Sequence, residues 1–222
     1  MHGIATLRLF GALLCVSAPV WFLNCTAIAD EAFSRELFLT EGPASSWNGN
    51  TGDIFREGVS EMGLSFGPGL GMNILGSKVH QNWVLGRAEY GCMLSDVKAK
   101  DRWYGGNWQI MADLFGGFQY HPHHAYVVGI SPMLRYNFAT GTRWVPFVSA
   151  GAGLTVTDIR NGQISTEFEF NLRIGPGVRY FFSEKWAATL HYQFIHLSNG
   201  GMEVPNAGIN NSTLFLGVSR LF

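Results

Sequence analysis

His196 and Ser198 are the two side chains whose types and spacing could do chemistry together. They stand two positions apart in the segment Ile195-His196-Leu197-Ser198. On an extended strand, side chains at this spacing point to the same side, with Cα atoms about 6.5–7 Å apart. An imidazole can then reach a hydroxyl, as a general base reaches a nucleophile. The same two residues are also typical of a strand end at a membrane interface, where polar groups are tolerated again.

The strand that carries this pair has an apolar face, and the pair continues it. Trp186, Ala188, Leu190, Tyr192 and Phe194 have the same parity as His196 and Ser198. Further along the chain, Asn210 has the parity of Leu214, Leu216 and Val218. If these faces meet lipid, all three polar residues lie on the outside of the protein, at the rim of its apolar band.

The alternation is clearest between residues 163 and 182. One parity holds Phe168, Phe170, Leu172, Ile174, Val178 and Tyr180, and the other holds Glu167, Glu169, Asn171, Arg173 and Arg179. A period of two over this length predicts a strand longer than those of most soluble sheets. Turn residues divide the chain into eight such segments, at about 57–70, 82–97, 105–120, 123–138, 143–157, 164–182, 185–198 and 211–222.

The composition favours a lipid environment for these strands. Charged residues make up 14% of the chain and aromatic residues another 14%, whereas soluble domains have about 25% charged residues. After the N-terminal region, no apolar run reaches the 18 residues or more of a membrane helix. The prediction is an all-β fold, an eight-stranded antiparallel transmembrane β-barrel of an outer membrane. A net charge of −1 gives no indication of a nucleic-acid partner.

The chain divides into three regions. Residues 1–29 have an apolar run over 9–23 and then Ala27-Ile28-Ala29, which predicts a cleavable secretory signal. A lipoprotein signal at Cys25 is the alternative, although Asn24 precedes it where a small residue is usual. Residues 30–55 are predicted to be a periplasmic lead-in, and residues 56–222 form the barrel. The short turns at 139–142 and 182–185 are predicted to be periplasmic, and the loop at about 199–210 to face the cell exterior.

The segment around the pair resembles a family signature. His196-Leu197-Ser198-Asn199-Gly200-Gly201, followed by Pro205-Asn206-Ala207-Gly208-Ile209-Asn210, is similar to the motif of the PagL-type lipid A deacylases, also known as acyloxyacyl hydrolases. Residues 145–153 and 168–177 also resemble strands of that family, so the resemblance covers about 143–222. It implies an eight-stranded barrel that removes the ester-linked 3-hydroxyacyl chain at the 3-position of lipid A, without a metal or another cofactor.

The resemblance implies roles for individual residues. Ser198 matches the nucleophile and His196 the general base, while Asn199, Gly201 and Asn206 match loop positions of the motif. Asn206, with a backbone N–H near Gly201, is the oxyanion-hole candidate. The third member of the family's triad, a Glu in the best-known enzymes, falls at Asn210. An Asn carbonyl can orient an imidazole, but it cannot stabilise imidazolium with a full charge. Glu203 is the nearest acid in the sequence.

Two functions therefore stay open at this stage. The first is an outer-membrane serine esterase that acts on lipid A in the outer leaflet. The second is a non-catalytic barrel with a structural or lipopolysaccharide-binding role. The partners implied are lipid A and outer-membrane lipids, and the sequence leaves open whether the barrel is a monomer or a homodimer.

Other polar residues are given ordinary roles. His121, His123 and His124 are predicted to be solvated loop residues and not metal ligands. Glu167, Glu169, Arg173 and Arg179 are predicted to form ion pairs inside the barrel, because a barrel of eight strands is filled by side chains. Lys78, His80 and Arg160 are predicted to be solvated residues of outward loops, with lipid A phosphates as the alternative.

Overall fold

The computed structural model describes residues 54–222, which form a closed antiparallel barrel of eight strands in sequence order. The strands are β1 (Ser60–Gly71), β2 (Asn82–Met93), β3 (Gly106–His121), β4 (Ala125–Phe138), β5 (Trp144–Thr157), β6 (Phe168–Phe181), β7 (Trp186–Ser198) and β8 (Ile209–Leu221). β1 pairs with β8 and closes the wall. The predicted fold class and strand number are confirmed. The predicted signal peptide and almost all of the lead-in lie outside the described residues.

Two predicted strand ends are wrong. β2 ends at Met93 and not near residue 97, and β6 begins at Phe168 and not near residue 164. At the second place the sequence continues the apolar alternation, but Ile164 is buried in a loop, with 2% of its surface exposed. A buried loop residue gives the same pattern as a strand residue, because both bury an apolar side chain.

The two ends of the barrel differ. One end, called the site end below, carries the connections 72–81, 122–124, 158–167 and 199–208. The other end carries the connections 94–105, 139–143 and 182–185, together with Phe222, whose N–H donates to Ser60 O at 3.0 Å. The loop after Ser198 therefore lies at the end opposite the C terminus, as the sequence predicts.

The outer wall is apolar over most of its height. Large hydrophobic side chains alternate outward along every strand and are exposed, among them Leu64, Phe66, Leu114, Ile130, Val148, Leu172, Leu190 and Leu216. Trp108, Trp144 and Trp186 are exposed near the C-terminal end, and Tyr120, Tyr126 and Phe168 near the site end. An apolar band between two aromatic belts is the surface of a membrane barrel. Among residues 54–222, no helix is long and apolar enough to cross a membrane.

A charge on this wall tests its environment. Leu216 lies midway along β8 and is 55% exposed. In a bilayer, Leu216→Arg should lower the free energy of unfolding by about 2–4 kcal/mol, because the guanidinium must enter hydrocarbon. At an exposed position in water, the change would stay within about 0.5 kcal/mol. Urea titration in lipid vesicles measures the difference, and an unchanged midpoint would contradict a lipid-facing wall.

The interior of the barrel is filled by an alternating ladder of charges together with two clusters of buried apolar side chains. Its ion pairs are Arg179–Glu61 (3.1 Å), Arg135–Glu61 (3.5 Å), Arg135–Glu89 (2.6 Å), Arg87–Glu89 (3.0 Å), Arg87–Asp113 (3.6 Å) and Arg173–Asp113 (3.1 Å). The predicted interior ion pairs of Arg173 and Arg179 are confirmed. Those of Glu167 and Glu169 are wrong. Glu167 pairs with Arg160 outside the barrel at 2.8 Å, and the Glu169 carboxylate accepts a hydrogen bond from Thr166 Oγ1.

Candidate active site

The candidate site lies where β7 and β8 reach the site end. His196 stands directly opposite Asn210 in the β7–β8 register. Ser198, two residues later, pairs with Phe170 of β6. Along β7 the residues between these outward positions are buried, whereas Leu190 and Tyr192, of the same parity as His196, are exposed. The imidazole and the hydroxyl therefore both project from the outer wall and not into the barrel.

A short hydrogen bond joins the two strands at this point. His196 Nδ1 lies 2.7 Å from Asn210 Oδ1. A carbonyl oxygen only accepts, so the imidazole carries its proton on Nδ1 and donates it to Asn210. Nε2 is then left with its lone pair, which is the form that a general base needs.

The serine hydroxyl is close along the chain but is not bonded to the imidazole. His196 and Ser198 are both half-buried. In the described part of the chain, no hydrogen bond joins Ser198 Oγ to His196. Contacts between a nucleophile and its base are often long without substrate and tighten when substrate is bound. The structure therefore holds His196 and Asn210 in contact and places Ser198 beside them on the same face.

Asn199 organises the loop 199–208 from within. The side chain is fully buried. Its Nδ2 donates to Ser165 Oγ at 3.2 Å and to Glu203 O at 2.9 Å, and its Oδ1 accepts from Gly201 N at 2.9 Å. The amide of Asn199 is thus fully hydrogen-bonded, within its own loop and to Ser165 of the connection 158–167, and the N–H of Gly201 is bound as well. Glu203 is exposed, and it is its carbonyl that contacts Asn199.

Asn206 keeps its donor end available. Its Oδ1 accepts from Asn199 N at 3.3 Å. Among residues 54–222, neither its Nδ2 nor the backbone N–H of Gly200 makes a hydrogen bond. Asn206 is half-buried and Gly200 is exposed in the same loop. These two N–H groups can therefore be offered to a substrate oxygen, whereas that of Gly201 is already bound to Asn199.

Gly208 is the residue that packs against the imidazole. It has a φ of +74°, and a Cβ added there would lie 2.8 Å from His196 Cε1 and 3.2 Å from Leu197 O. Only glycine adopts this backbone conformation without strain. The imidazole of His196 can therefore occupy its position only because residue 208 has no side chain.

Gly208→Ala should move the imidazole without unfolding the barrel. If the site is catalytic, the rate of acyl release should fall by about 100-fold, the usual cost of misplacing a catalytic group by about 1 Å. Gly162→Ala is the matched control, because Gly162 lies in another loop of the site end and also has a positive φ (+71°), but its added Cβ would meet nothing within 4 Å. Equal losses in the two variants would mean that backbone strain in a site-end loop, and not the position of the ring, lowers the rate.

A second serine–histidine pair lies inside the barrel, and the sequence analysis did not find it. Ser149 Oγ is 3.0 Å from His191 Nε2, and both residues are buried. Arg87 Nη1 lies 2.9 Å from His191 Nδ1. Because a guanidinium can only donate, Nδ1 must accept and Nε2 must carry the proton. His191 therefore donates to Ser149 and cannot serve as its base, although this pair is the closer of the two.

Comparison with known proteins assigns the chain to a family. A family model described as lipid A 3-O-deacylase (PagL) matches residues 86–219, which is more than half of the 222 residues. The chain belongs to the PagL family. The match confirms the resemblance seen over 143–222 and extends it back into β2. It includes both strands that carry His196, Ser198 and Asn210.

Individual relatives agree with this assignment. The chain is 30% identical to the lipid A deacylase PagL of Pseudomonas aeruginosa over 91 residues, which are 40% of this chain and 50% of that protein. It thus spans about half the length of that relative. The crystal structure of the outer membrane enzyme PagL matches with a TM-score of 0.52 and 19% identity, covering 71% of this chain and 97% of that one. Neisserial surface protein A matches with a TM-score of 0.53 and 17% identity, covering 75% and 100%. The likeness to these structures concerns the fold, an outer-membrane β-barrel.

In residues 54–222, the side chains of the remaining polar candidates of this PagL-family barrel make no hydrogen bond or ion pair with His196, Ser198 or Asn210. His121, His123 and His124 are exposed, and His123 contributes a backbone carbonyl to Gln119. In residues 54–222, no three His, Cys, Asp or Glu side chains are grouped as metal ligands. His80 Nδ1 donates to Gly71 O at 2.7 Å within its own loop. Lys78 contacts Gln163 through its backbone N–H.

An apolar groove lies elsewhere on the outer wall. It has a volume of about 820 Å³ and is lined by residues of β1, β2, β3 and β8, with one residue of β4. Leu64, Gly86 and Leu216 are among them. None of the site residues lines it, so this groove is a feature of the lipid-facing wall and not of the candidate site.

Proposed function

We propose that this PagL-family barrel is an outer-membrane serine esterase that removes the ester-linked 3-hydroxyacyl chain at the 3-position of lipid A. The observation that carries the proposal is the outward His196–Asn210 pair, hydrogen-bonded at 2.7 Å beside Ser198 at the site end of the lipid-facing wall. Family membership supports the substrate class. The position of the pair supports the same substrate, because a group on the outer wall meets molecules in the membrane and not molecules inside the barrel.

The roles follow from the hydrogen bonds. Asn210 Oδ1 holds the Nδ1 proton of His196, so Nε2 can take the proton of Ser198 Oγ. The oxygen of Ser198 then adds to the ester carbonyl carbon of lipid A. When the tetrahedral intermediate collapses, the bond from the acyl carbon to the 3-oxygen of the sugar breaks, and this oxygen takes the proton from Nε2 and leaves as the free 3-hydroxyl. An acyl ester on Ser198 remains.

The second half of the reaction regenerates the serine. A water molecule gives a proton to His196 Nε2 and adds to the acyl carbonyl. Collapse returns that proton to Ser198 Oγ and releases a 3-hydroxy fatty acid. Asn206 Nδ2 and the N–H of Gly200 are the donors that we assign to the developing oxyanion, because the N–H of Gly201 is already bound to Asn199.

The surroundings of the His196–Asn210 pair match the acyl chains and the headgroup of lipid A. Below the pair, the wall of β6 to β8 is apolar, with Ile174, Leu190 and Leu214 exposed, so acyl chains can lie along it. Above the pair, the loops at the site end expose charged residues such as Lys78, Arg160 and Glu203, which suit the headgroup region, together with apolar ones such as Leu75, Met202 and Val204. The ester linkage of lipid A lies between these two regions, at the level of the site.

The second candidate is a barrel that binds lipopolysaccharide without hydrolysing it. It is favoured by one observation, the neutral Asn210 at the position of the triad acid. Loss of a triad carboxylate can cost about four orders of magnitude in rate. This cost includes the wrong imidazole tautomer, and the 2.7 Å hydrogen bond of His196 to Asn210 avoids that part.

Mass spectrometry of lipid A separates the two candidates. The full chain is expressed in a Gram-negative host whose lipid A is fully acylated. We expect the mass to fall by one 3-hydroxyacyl chain, and the remaining lipid A to carry a free 3-hydroxyl. An unchanged spectrum from cells that contain folded barrel would exclude the esterase and favour the binding role.

A further inference from the structure

Asn210 lies between two fixed groups. Although its parity on β8 is that of the outward residues, it is 1% exposed, because the loop 72–81 covers it. Its amide lies 2.7 Å from His196 Nδ1 through Oδ1 and 2.6 Å from the backbone oxygen of Ile74 through Nδ2. The loop between β1 and β2 thus enters the site through a main-chain carbonyl.

The carbonyl of Ile74 decides which way the amide faces. A backbone oxygen can only accept, so the NH₂ end of Asn210 must point to Ile74. The oxygen end is then left for His196 Nδ1, which must carry a proton to bind it. The Ile74 carbonyl therefore sets the tautomer of the imidazole through two hydrogen bonds. Because it is a backbone group, the residue type at position 74 does not reveal this role.

The loop holds this carbonyl in place. Ile74 O also accepts from Ser77 N at 3.0 Å, which closes the turn 74–77. The turn contains Gly76 at a φ of +95°, and a Cβ there would lie 3.2 Å from Ala207 O of the neighbouring loop. Beyond the turn, Lys78 N donates to the buried side chain of Gln163, at 2.6 Å from Oε1. The position of Ile74 O is thus fixed by contacts with two other loops.

We propose that the Ile74 carbonyl is a positioning group of the site and that it requires a neutral amide at residue 210. A carboxylate in that place would put a second acceptor about as close to Ile74 O as Nδ2 is now, with no proton between the two oxygens. Asn210 is then not a defective acid but the residue that matches this loop. The inference rests on the proposed function for its kinetic consequence, whereas the imidazole tautomer can be measured without it.

The test is Asn210→Asp, an exchange that keeps the shape and changes the charge. At pH 8 we expect the kcat for acyl release to fall by about tenfold or more with KM little changed, because residue 210 acts through His196 and does not touch the substrate. A tenfold or larger gain in kcat would overturn the inference, since the site would then be limited by the missing charge and not by the match to Ile74.

Asn211→Asp is the matched control. Asn211 is the neighbouring buried amide, faces the interior, and donates through Nδ2 to Gln81 O of the same loop at 2.7 Å. It makes no contact with His196 in residues 54–222. A carboxylate there strains the same loop without changing the hydrogen bonds that join Ile74, Asn210 and His196, so we expect a smaller fall in kcat. Equal losses in both variants would reduce the effect to general loop damage and overturn the inference.

A second readout does not depend on activity. Nitrogen-15 spectra of histidine-labelled barrel in detergent should show that His196 is protonated on Nδ1 and unprotonated on Nε2. In Asn210→Ala, we expect this preference for the Nδ1 tautomer to be lost. A wild-type His196 protonated on Nε2 would overturn the inference whatever the enzyme does. If the spectrum is as expected but the barrel leaves lipid A intact, the proposed function is contradicted. The positioning of His196 by Ile74 through Asn210 is then still supported.

Discussion

Ser198→Ala should abolish release of the acyl chain from lipid A while the barrel stays folded. The hydroxyl has no structural partner in the described residues, and removing a half-buried side-chain oxygen at the wall costs little stability. The catalytic loss should be at least about three orders of magnitude, because nucleophile and base act as a unit and removing either removes the covalent route. Timed mass spectrometry of lipid A incubated with purified protein measures both rates.

Ser149→Ala is the control for this result. Ser149 also contacts a histidine, at 3.0 Å, but it lies inside the barrel, where Arg87 forces His191 to act as a donor. We expect its deacylation rate to stay within a few-fold of the unmodified protein, once folded protein is matched by heat-modifiable mobility on gels. The opposite ranking, with Ser149→Ala inactive and Ser198→Ala active, would move the reaction to the interior of the barrel.

Arg173→Met should produce the largest loss of stability. The guanidinium is buried, pairs with Asp113 at 3.1 Å and lies over the ring of Phe115. Methionine leaves Asp113 with only the more distant Arg87, at 3.6 Å. Removing one partner of a buried ion pair costs about 3–5 kcal/mol, since the remaining charge is buried without compensation. The midpoint of urea unfolding in lipid vesicles should fall accordingly.

The matched variant is Arg160→Met. Arg160 pairs with Glu167 at a similar distance, 2.8 Å, but both side chains are more than half exposed. Exposed pairs contribute about 0–1 kcal/mol, so the unfolding midpoint should hardly change. If the two variants lost equal stability, the interior ladder would not hold the barrel together in the way that its burial indicates.

The wall of the barrel could be predicted from the sequence because its signal is periodic. Each strand alternates between lipid and interior, so the number of strands and the outward side of His196, Ser198 and Asn210 follow from parity. Strand ends were harder to predict. Loop residues such as Ile164 pack into a buried cluster with strand residues such as Ile195 and Leu197, so they continue the apolar pattern beyond the end of the strand.

The contacts that complete the site could not be predicted in this way. The Ile74 carbonyl reaches Asn210 across 136 positions of sequence, and every residue type has the same carbonyl, so the sequence holds no sign of it. The use of Gly201 N–H by Asn199 is equally invisible. For the interior charges, the sequence indicated the side but not the partners. Arg173 meets Asp113 of another strand and not the glutamates next to it in sequence.

Covalent labelling of the serine tests the central claim most directly. A lipophilic fluorophosphonate reacts with a serine that an adjacent base has activated, and peptide mass spectrometry then locates the adduct. We expect one adduct on the folded barrel, on Ser198, and its loss in His196→Gln. An adduct on Ser149, or a barrel that deacylates lipid A with Ser198 unlabelled by the probe, would contradict an outward-facing Ser198 nucleophile with His196 as its base.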